Sequence, residues 1–159
     1  ASGHVYTATA GGPVMLDGYV VRPSGVEALG QARVALIRPE TPPAWRAMAP
    51  IMVGARRVRI TGCSALDLSL IACGTLDALV NPNRVSPAGY GEKIVDYAGA
   101  LVMLEATGAV LTEFDGSPVP VTLDLRRRTP IVGAATPALH AELLDILHRE
   151  PWDDMGGGR

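Results

Sequence analysis

Aromatic side chains are scarce: one Phe, two Trp and four Tyr make up 4% of the 159 residues. A core built from this chain must therefore be filled by Ala, Val and Leu, and a hydrophobic share of 48% is enough to fill one. Cysteine is rarer still, with only Cys63 and Cys73. Both fall on one predicted helix, too far apart along its axis to bond to each other. No disulfide framework is implied, and a reducing, cytoplasmic compartment is the expected location. A charge excess is missing too: 14 basic against 16 acidic residues leave a net charge of −2. Nucleic-acid binders need a basic face, so that class is set aside. No apolar run is long enough to cross a bilayer. The opening Ala1-Ser2-Gly3-His4 carries no basic segment followed by an apolar core, so no signal peptide is expected. No internal repeat or long biased tract is present, so the 18 Gly and 13 Pro read as turns.

What is present reads as alternating elements. Residues 4–9 are β-branched and aromatic, hence a strand. Residues 14–21 read as a hairpin, because Asp17-Gly18 supplies the positive φ angles of a tight turn. A strand over 31–38 follows. Thr41-Pro42-Pro43 then opens a helix over 44–53, proline being suited to a first helical turn. Next come a strand at 57–61, a helix over 64–73 ended by Gly74, a short strand at 76–80 and a loop over 81–93. A long apolar helix over 94–107 is capped by Gly108. Strands at 109–114 and 130–135 and a helix from Thr136-Pro137 through His148 complete the set. The expected fold class is α/β, a mixed sheet flanked by helices. Residues 1–30 read as a hairpin left over from a preceding layer, 31–150 as the α/β domain and 151–159 as a flexible tail.

Three segments invite chemistry. In Ile60-Thr61-Gly62-Cys63-Ser64-Ala65-Leu66-Asp67 a strand ends and a helix begins at a Gly-Cys-Ser corner. The first helical N–H groups are unpaired and partly positive, so the corner can hold an anion or polar hydroxyls. It can equally be an ordinary N-cap made by Cys63 or Ser64. In Lys93-Ile94-Val95-Asp96-Tyr97-Ala98-Gly99-Ala100 a carboxylate opens an otherwise apolar helix. Asp96 can be a metal ligand, since hard divalent cations prefer carboxylate oxygens, or it can be a capping aspartate. Gly108 to Gly116 reads as cap, strand and turn, with nothing that demands catalysis.

The order of these pieces nonetheless resembles one family. Gly62-Cys63-Ser64-Ala65-Leu66-Asp67-Leu68, Ala72-Cys73-Gly74-Thr75-Leu76-Asp77-Ala78, Asp96-Tyr97-Ala98-Gly99-Ala100, Glu105-Ala106-Thr107-Gly108 and Phe114-Asp115-Gly116 follow one another as in the inositol monophosphatase superfamily. Val5-Tyr6-Thr7-Ala8, Gly11-Gly12 and Leu16-Asp17-Gly18 look like the family's central hairpin. The resemblance runs over roughly residues 5–148 and implies the carboxyl-terminal domain of that fold.

The resemblance implies Mg²⁺-assisted hydrolysis of a phosphate monoester carried by a sugar or polyol. Asp96 matches the family's metal-binding and substrate-binding aspartate and is the catalytic candidate. Gly62, Cys63 and Ser64 match the corner that contacts substrate. Arg84 and Lys93 are candidates for a second phosphate, although loop cations are most often simply solvated. The aliphatic Val95 before Asp96 leans toward archaeal members that also accept fructose 1,6-bisphosphate. Asn81 stands where some members carry a substrate-contacting carboxylate. The family's upstream Asp-Pro-x-Asp-Gly-Thr segment and its upstream Glu occur nowhere in the sequence. The chain is therefore expected to be a carboxyl-terminal portion, inactive without an amino-terminal metal-binding half, and to pair with that half or with copies of itself. Two other readings stand beside it: a non-catalytic truncated homologue acting as a binding or assembly module, and, ranked lower, a 3′-phosphoadenosine 5′-phosphate phosphatase.

Overall fold

A computed structural model gives the fold and describes residues 3–83 and 91–149. Two sheets are present. The first is small and antiparallel: β1 (Tyr6–Thr7), β2 (Met15–Leu16) and β3 (Tyr19–Val20), in that order. Asp17 and Gly18, at φ 52° and 83°, make the turn between β2 and β3. The strand expected over 4–9 is thus short and joins the hairpin instead of standing alone. The Asp17 carboxylate closes the unit by accepting from the Val5 N–H at 2.8 Å and binding His4 Nδ1 at 2.6 Å.

The second sheet has five strands, in the order β5-β4-β6-β8-β7. They are β4 (Arg33–Leu36), β5 (Arg57–Arg59), β6 (Ala78–Asn81), β7 (Val110–Glu113) and β8 (Ile131–Ala134). β4 runs parallel to β5 and to β6, whereas β8 is antiparallel to both β6 and β7. The mixed α/β architecture expected from the sequence is therefore the one observed. The central strands are buried almost throughout, because helices cover both faces. That is why they read as continuous apolar runs and not as alternating ones.

Alternation still assigns the faces. Ala35, Leu79 and Ile131 pack under α2 (Ser64–Ala72) and α3 (Ile94–Thr107). Val34, Leu36, Ala78, Val80, Val132 and Ala134 pack under α1 (Pro42–Gly54) and α4 (Pro137–Leu147). Thr41 and Thr136 start α1 and α4 by accepting from Ala44 N–H and Leu139 N–H, each followed by Pro at the first helical position. Tyr6, Ala8, Val14 and Val21 rest on the α2–α3 layer, so the small sheet leans on that side. Gly108, at φ 73°, ends α3 as expected.

The sheet includes β4, and α1, which follows it, packs on the sheet beside α4. A 3₁₀ turn at Leu29–Gln31 shortens the strand expected over 31–38. The strand expected over 76–80 is shifted to end at Asn81, so Asn81 is a sheet residue and not the first of a loop. Arg84 and the tail at 151–159 lie outside the described residues.

One ion pair ties these pieces together. Asp77, fully buried, accepts from Arg33 N–H at 2.6 Å, Arg33 Nε at 2.9 Å and Arg33 Nη2 at 2.9 Å. The same guanidinium donates to the Gly74 carbonyl at 2.8 Å. Burial pushes the Asp77 carboxyl up, but bonds from Arg33 and Ser24 outweigh it and hold the group below its ordinary value. An acid with a lowered folded value stabilises the fold above its unfolded range, and that contribution is lost as pH falls through the folded value. Removing Asp77 leaves the part-exposed Arg33 and the Arg33 N–H without their acceptor. Asp77→Ala is expected to cost about 1.5–3 kcal/mol in urea unfolding at neutral pH, and to flatten the acid-side loss of stability. An unchanged urea midpoint would refute this role.

Candidate functional site

The topology decides where a site can form. β4, β5 and β6 are parallel, so their carboxyl ends share one edge of the sheet. α2 follows β5 and α3 follows β6, so both helices start at that edge. Ligands of open α/β sheets bind outside the carboxyl ends of strands, where crossovers leave toward opposite faces. Here α1 follows β4 onto one face and α2 follows β5 onto the other.

A cavity of about 430 Å³ lies at this edge. Ile37 borders it just past β4, Gly62, Cys63 and Ser64 just past β5, and Glu92, Lys93 and Asp96 at the start of α3. Five sequence candidates, Gly62, Cys63, Ser64, Lys93 and Asp96, are thus brought to one hollow. Arg84, the sixth, lies outside the described residues. Gly62 turns the chain from strand to helix at φ 75°, a conformation that favours glycine. Cys63 occupies the N-cap position of α2, yet its side chain makes no capping bond. The Cys63 N–H instead donates to Thr61 Oγ1 at 3.4 Å. Nor does Ser64 cap the helix. Its hydroxyl donates to Glu92 Oε1 at 2.5 Å.

Asp96 does cap. Its Oδ2 accepts from the Lys93 N–H at 2.8 Å, the return bond of a third helical residue to the N-cap backbone. Its carboxyl also lies against that of Glu92, which it pushes toward the protonated form. Glu92 was read only as part of a loop and is the residue that sequence reasoning missed. It is 7% exposed. Its Oε1 also accepts from Asn81 Nδ2 at 2.6 Å, and its backbone exchanges two hydrogen bonds with Thr129, just before β8. Asn81 is turned inward onto Glu92 and the Asn83 N–H, and the acidic side chains at the cavity are Glu92 and Asp96. Burial raises the Glu92 carboxyl first; bonds from Ser64 and Asn81 oppose that, and Asp96 adds to it. One clue was available in the sequence: an acid four residues ahead of Asp96, immediately before the helix.

Beneath the corner, Asp67 is fully buried. Its Oδ2 accepts from Thr61 Oγ1 at 2.5 Å, and burial raises its carboxyl above the ordinary value. The site thus has two helix starts with unpaired N–H groups, a pair of adjoining carboxyls and a serine hydroxyl. Such an arrangement offers partial positive charge to an anion and carboxylate oxygen to a hard cation. Among the described residues no three His, Cys, Asp or Glu side chains converge closely enough to hold a metal ion. The described donors therefore fall short of a complete divalent-cation site.

Comparison with known proteins gives the family and supports the fold. The model of the inositol monophosphatase family matches residues 1–151. The chain belongs to the inositol monophosphatase family. The inositol-1-monophosphatase ImpA of Mycolicibacterium smegmatis is 28% identical over 154 residues, covering 92% of this chain and 51% of ImpA. The fructose-1,6-bisphosphatase/inositol-1-monophosphatase of Methanothermobacter thermautotrophicus is 32% identical over 92 residues, 58% of this chain and 31% of that protein. Staphylococcal IMPase-II has the same fold, with a TM-score of 0.77 at 23% identity over 92% of this chain and 55% of its own. The chain thus spans about half the length of ImpA and of the staphylococcal protein.

The buried Glu92 gives a test of the site's electrostatics. A carboxyl raised in the folded state makes stability fall as pH climbs from the ordinary Glu range through the folded value. Glu92→Gln keeps an oxygen for Ser64 and Asn81 but cannot ionise. Urea midpoints followed from about pH 4 to about pH 8 are expected to fall less steeply in this variant than in the parent. Parallel profiles would show that Glu92 is not held toward its protonated form.

Proposed function

We propose that this chain is the carboxyl-terminal part of a Mg²⁺-dependent sugar-phosphate phosphatase that hydrolyses monoesters such as inositol 1-phosphate or fructose 1,6-bisphosphate. The observation that carries the reading is the convergence of the α2 and α3 starts on one cavity, with Asp96 at its mouth. In this reading the Gly62 and Ser64 N–H groups donate to substrate hydroxyls, and the Ser64 hydroxyl, whose proton goes to Glu92, accepts from one. Asp96 gives one carboxylate to the metal site, and the remaining donors come from an amino-terminal half that lies outside these 159 residues. Glu92 holds Ser64 in place through its short hydrogen bond and keeps the two helix starts in register. Lys93, at the rim, offers positive charge to a second phosphate, and Arg84 is proposed for the same task. Magnesium supplies charge neutralisation at the phosphoryl oxygens and a water of lowered pKa when bound. The 159-residue chain pairs with the amino-terminal half, or with its own copies, in a cytoplasmic setting.

Two experiments test the proposal. The pure 159-residue chain, incubated with Mg²⁺ and either substrate, is expected to release inorganic phosphate no faster than buffer. Sustained Mg²⁺-dependent turnover by it would overturn the division of labour. In the chain joined to its amino-terminal half, Asp96→Asn is expected to keep the fold, because Asn also caps helices well, and to lower kcat by about two orders of magnitude or more. If Asp96 only caps, the same variant turns over at a near-parental rate.

A further inference from the structure

A second hollow, of about 410 Å³, opens beside the edge strand β5 and shares no lining residue with the cavity at the helix starts. Four arginines line it: Arg33, Arg56, Arg57 and Arg59. The parallel register sets Arg33 beside Arg57 and Ala35 beside Arg59. Ala35 packs under α2 and Val58 packs on the opposite face, so Arg33, Arg57 and Arg59 all emerge on the α2 side. Leu70 of α2 and Leu76, which precedes β6, complete an apolar part of the lining.

The charge of this hollow is uncompensated. Arg33 is committed to Asp77 and to the Gly74 carbonyl. Among the described residues, Arg56, Arg57 and Arg59 form no ion pair, and no acidic residue lines the hollow. This concentration arises in a chain whose net charge is −2. Protecting an edge strand from pairing needs charge of either sign, and mixed signs provide it without mutual repulsion. Three guanidinium groups with no carboxylate partner among the described residues, of which only Arg59 spends one N–H, on the Val58 carbonyl, line a concave, partly apolar surface and are a complement to an anion. Planar forks match phosphate oxygens two at a time, which an ammonium does not do. The volume falls within the range of small-molecule sites.

We propose that this hollow binds a small molecule carrying two or more phosphate groups, with Arg57 and Arg59 holding the phosphates and Leu70 and Leu76 covering its apolar part. Binding there needs neither the metal nor Asp96, so it stands or falls apart from the phosphatase reading. It sits one residue from the catalytic corner, because Thr61 lines this hollow and Gly62 the other.

The probe is inorganic pyrophosphate, titrated calorimetrically into the 159-residue chain with EDTA present and at moderate salt. Saturable binding is expected. The double variant Arg57→Thr, Arg59→Thr keeps β-forming residues on an exposed strand and is expected to bind about tenfold more weakly or worse, having lost two charge-assisted contacts. If that variant does not fold, Arg57→Gln alone is read the same way, with a several-fold loss. A control pair removes the same charge elsewhere: Arg126→Thr with Arg149→Thr, both exposed. The control pair and Asp96→Asn are expected to bind as the parent does. Absence of parental binding, an unchanged affinity in the Arg57/Arg59 variant, or an equal loss in the control pair would overturn the proposal.

Discussion

The ion pair of Arg33 with the buried Asp77 is the contact on which the rest of the arrangement rests. It joins the first residue of β4 to the residue just before β6, across 44 positions of sequence. Through the Gly74 carbonyl it also fixes the end of α2. Gly74 itself, at φ 71°, sits so close to the segment at 22–24 that a Cβ would lie 2.8 Å from the Arg22 carbonyl oxygen. Three stretches of chain, at 22–24, at Arg33 and at 74–77, thus meet around this pair. The bonds satisfy both Asp77 oxygens, which is what allows a carboxylate to remain charged at zero exposure.

From that anchor the location of the site follows by topology. Three parallel strands leave their carboxyl ends at one edge, and two of the helices that follow them begin there. The cavity is accordingly formed by short stretches rather than by a single motif: one residue past β4, three past β5 and the run that opens α3. Glu92 links the last two groups. Its side chain reaches Ser64 at the start of α2, and its backbone is clamped to Thr129 ahead of β8. The carboxyl is thereby built into the frame, while Asp96, half-buried, stands at its open side.

Much of this was legible in the sequence because the local signals are strong. Asp17-Gly18, Thr41-Pro42-Pro43, Gly108 and Thr136-Pro137 each mark a boundary through backbone preference alone, and each boundary lies where those residues put it. Asp96 and the Gly62–Ser64 corner were found by the order of motifs, and their placement on one cavity followed from helix starts. Glu92 and Asn81 were not legible as partners. Their pairing depends on a loop closing over the end of β6, and no periodicity records that. The capping roles suggested for Cys63 and Ser64 failed for a related reason: the serine hydroxyl found a buried carboxylate, a stronger acceptor for it than its own helix offers.

The single antiparallel strand β8 has a consequence for how the chain is made. It is the last of the described strands in chain order, yet it lies between β6 and β7 and pairs with both. Until the ribosome has delivered residues 131–134, β6 and β7 have no shared neighbour, and each presents an open edge to whatever strand is near. Non-local pairings of this kind form slowly. During that interval the nascent domain is exposed to intermolecular pairing, and a binding factor that shields sheet edges would raise its soluble yield more than one that shields helices.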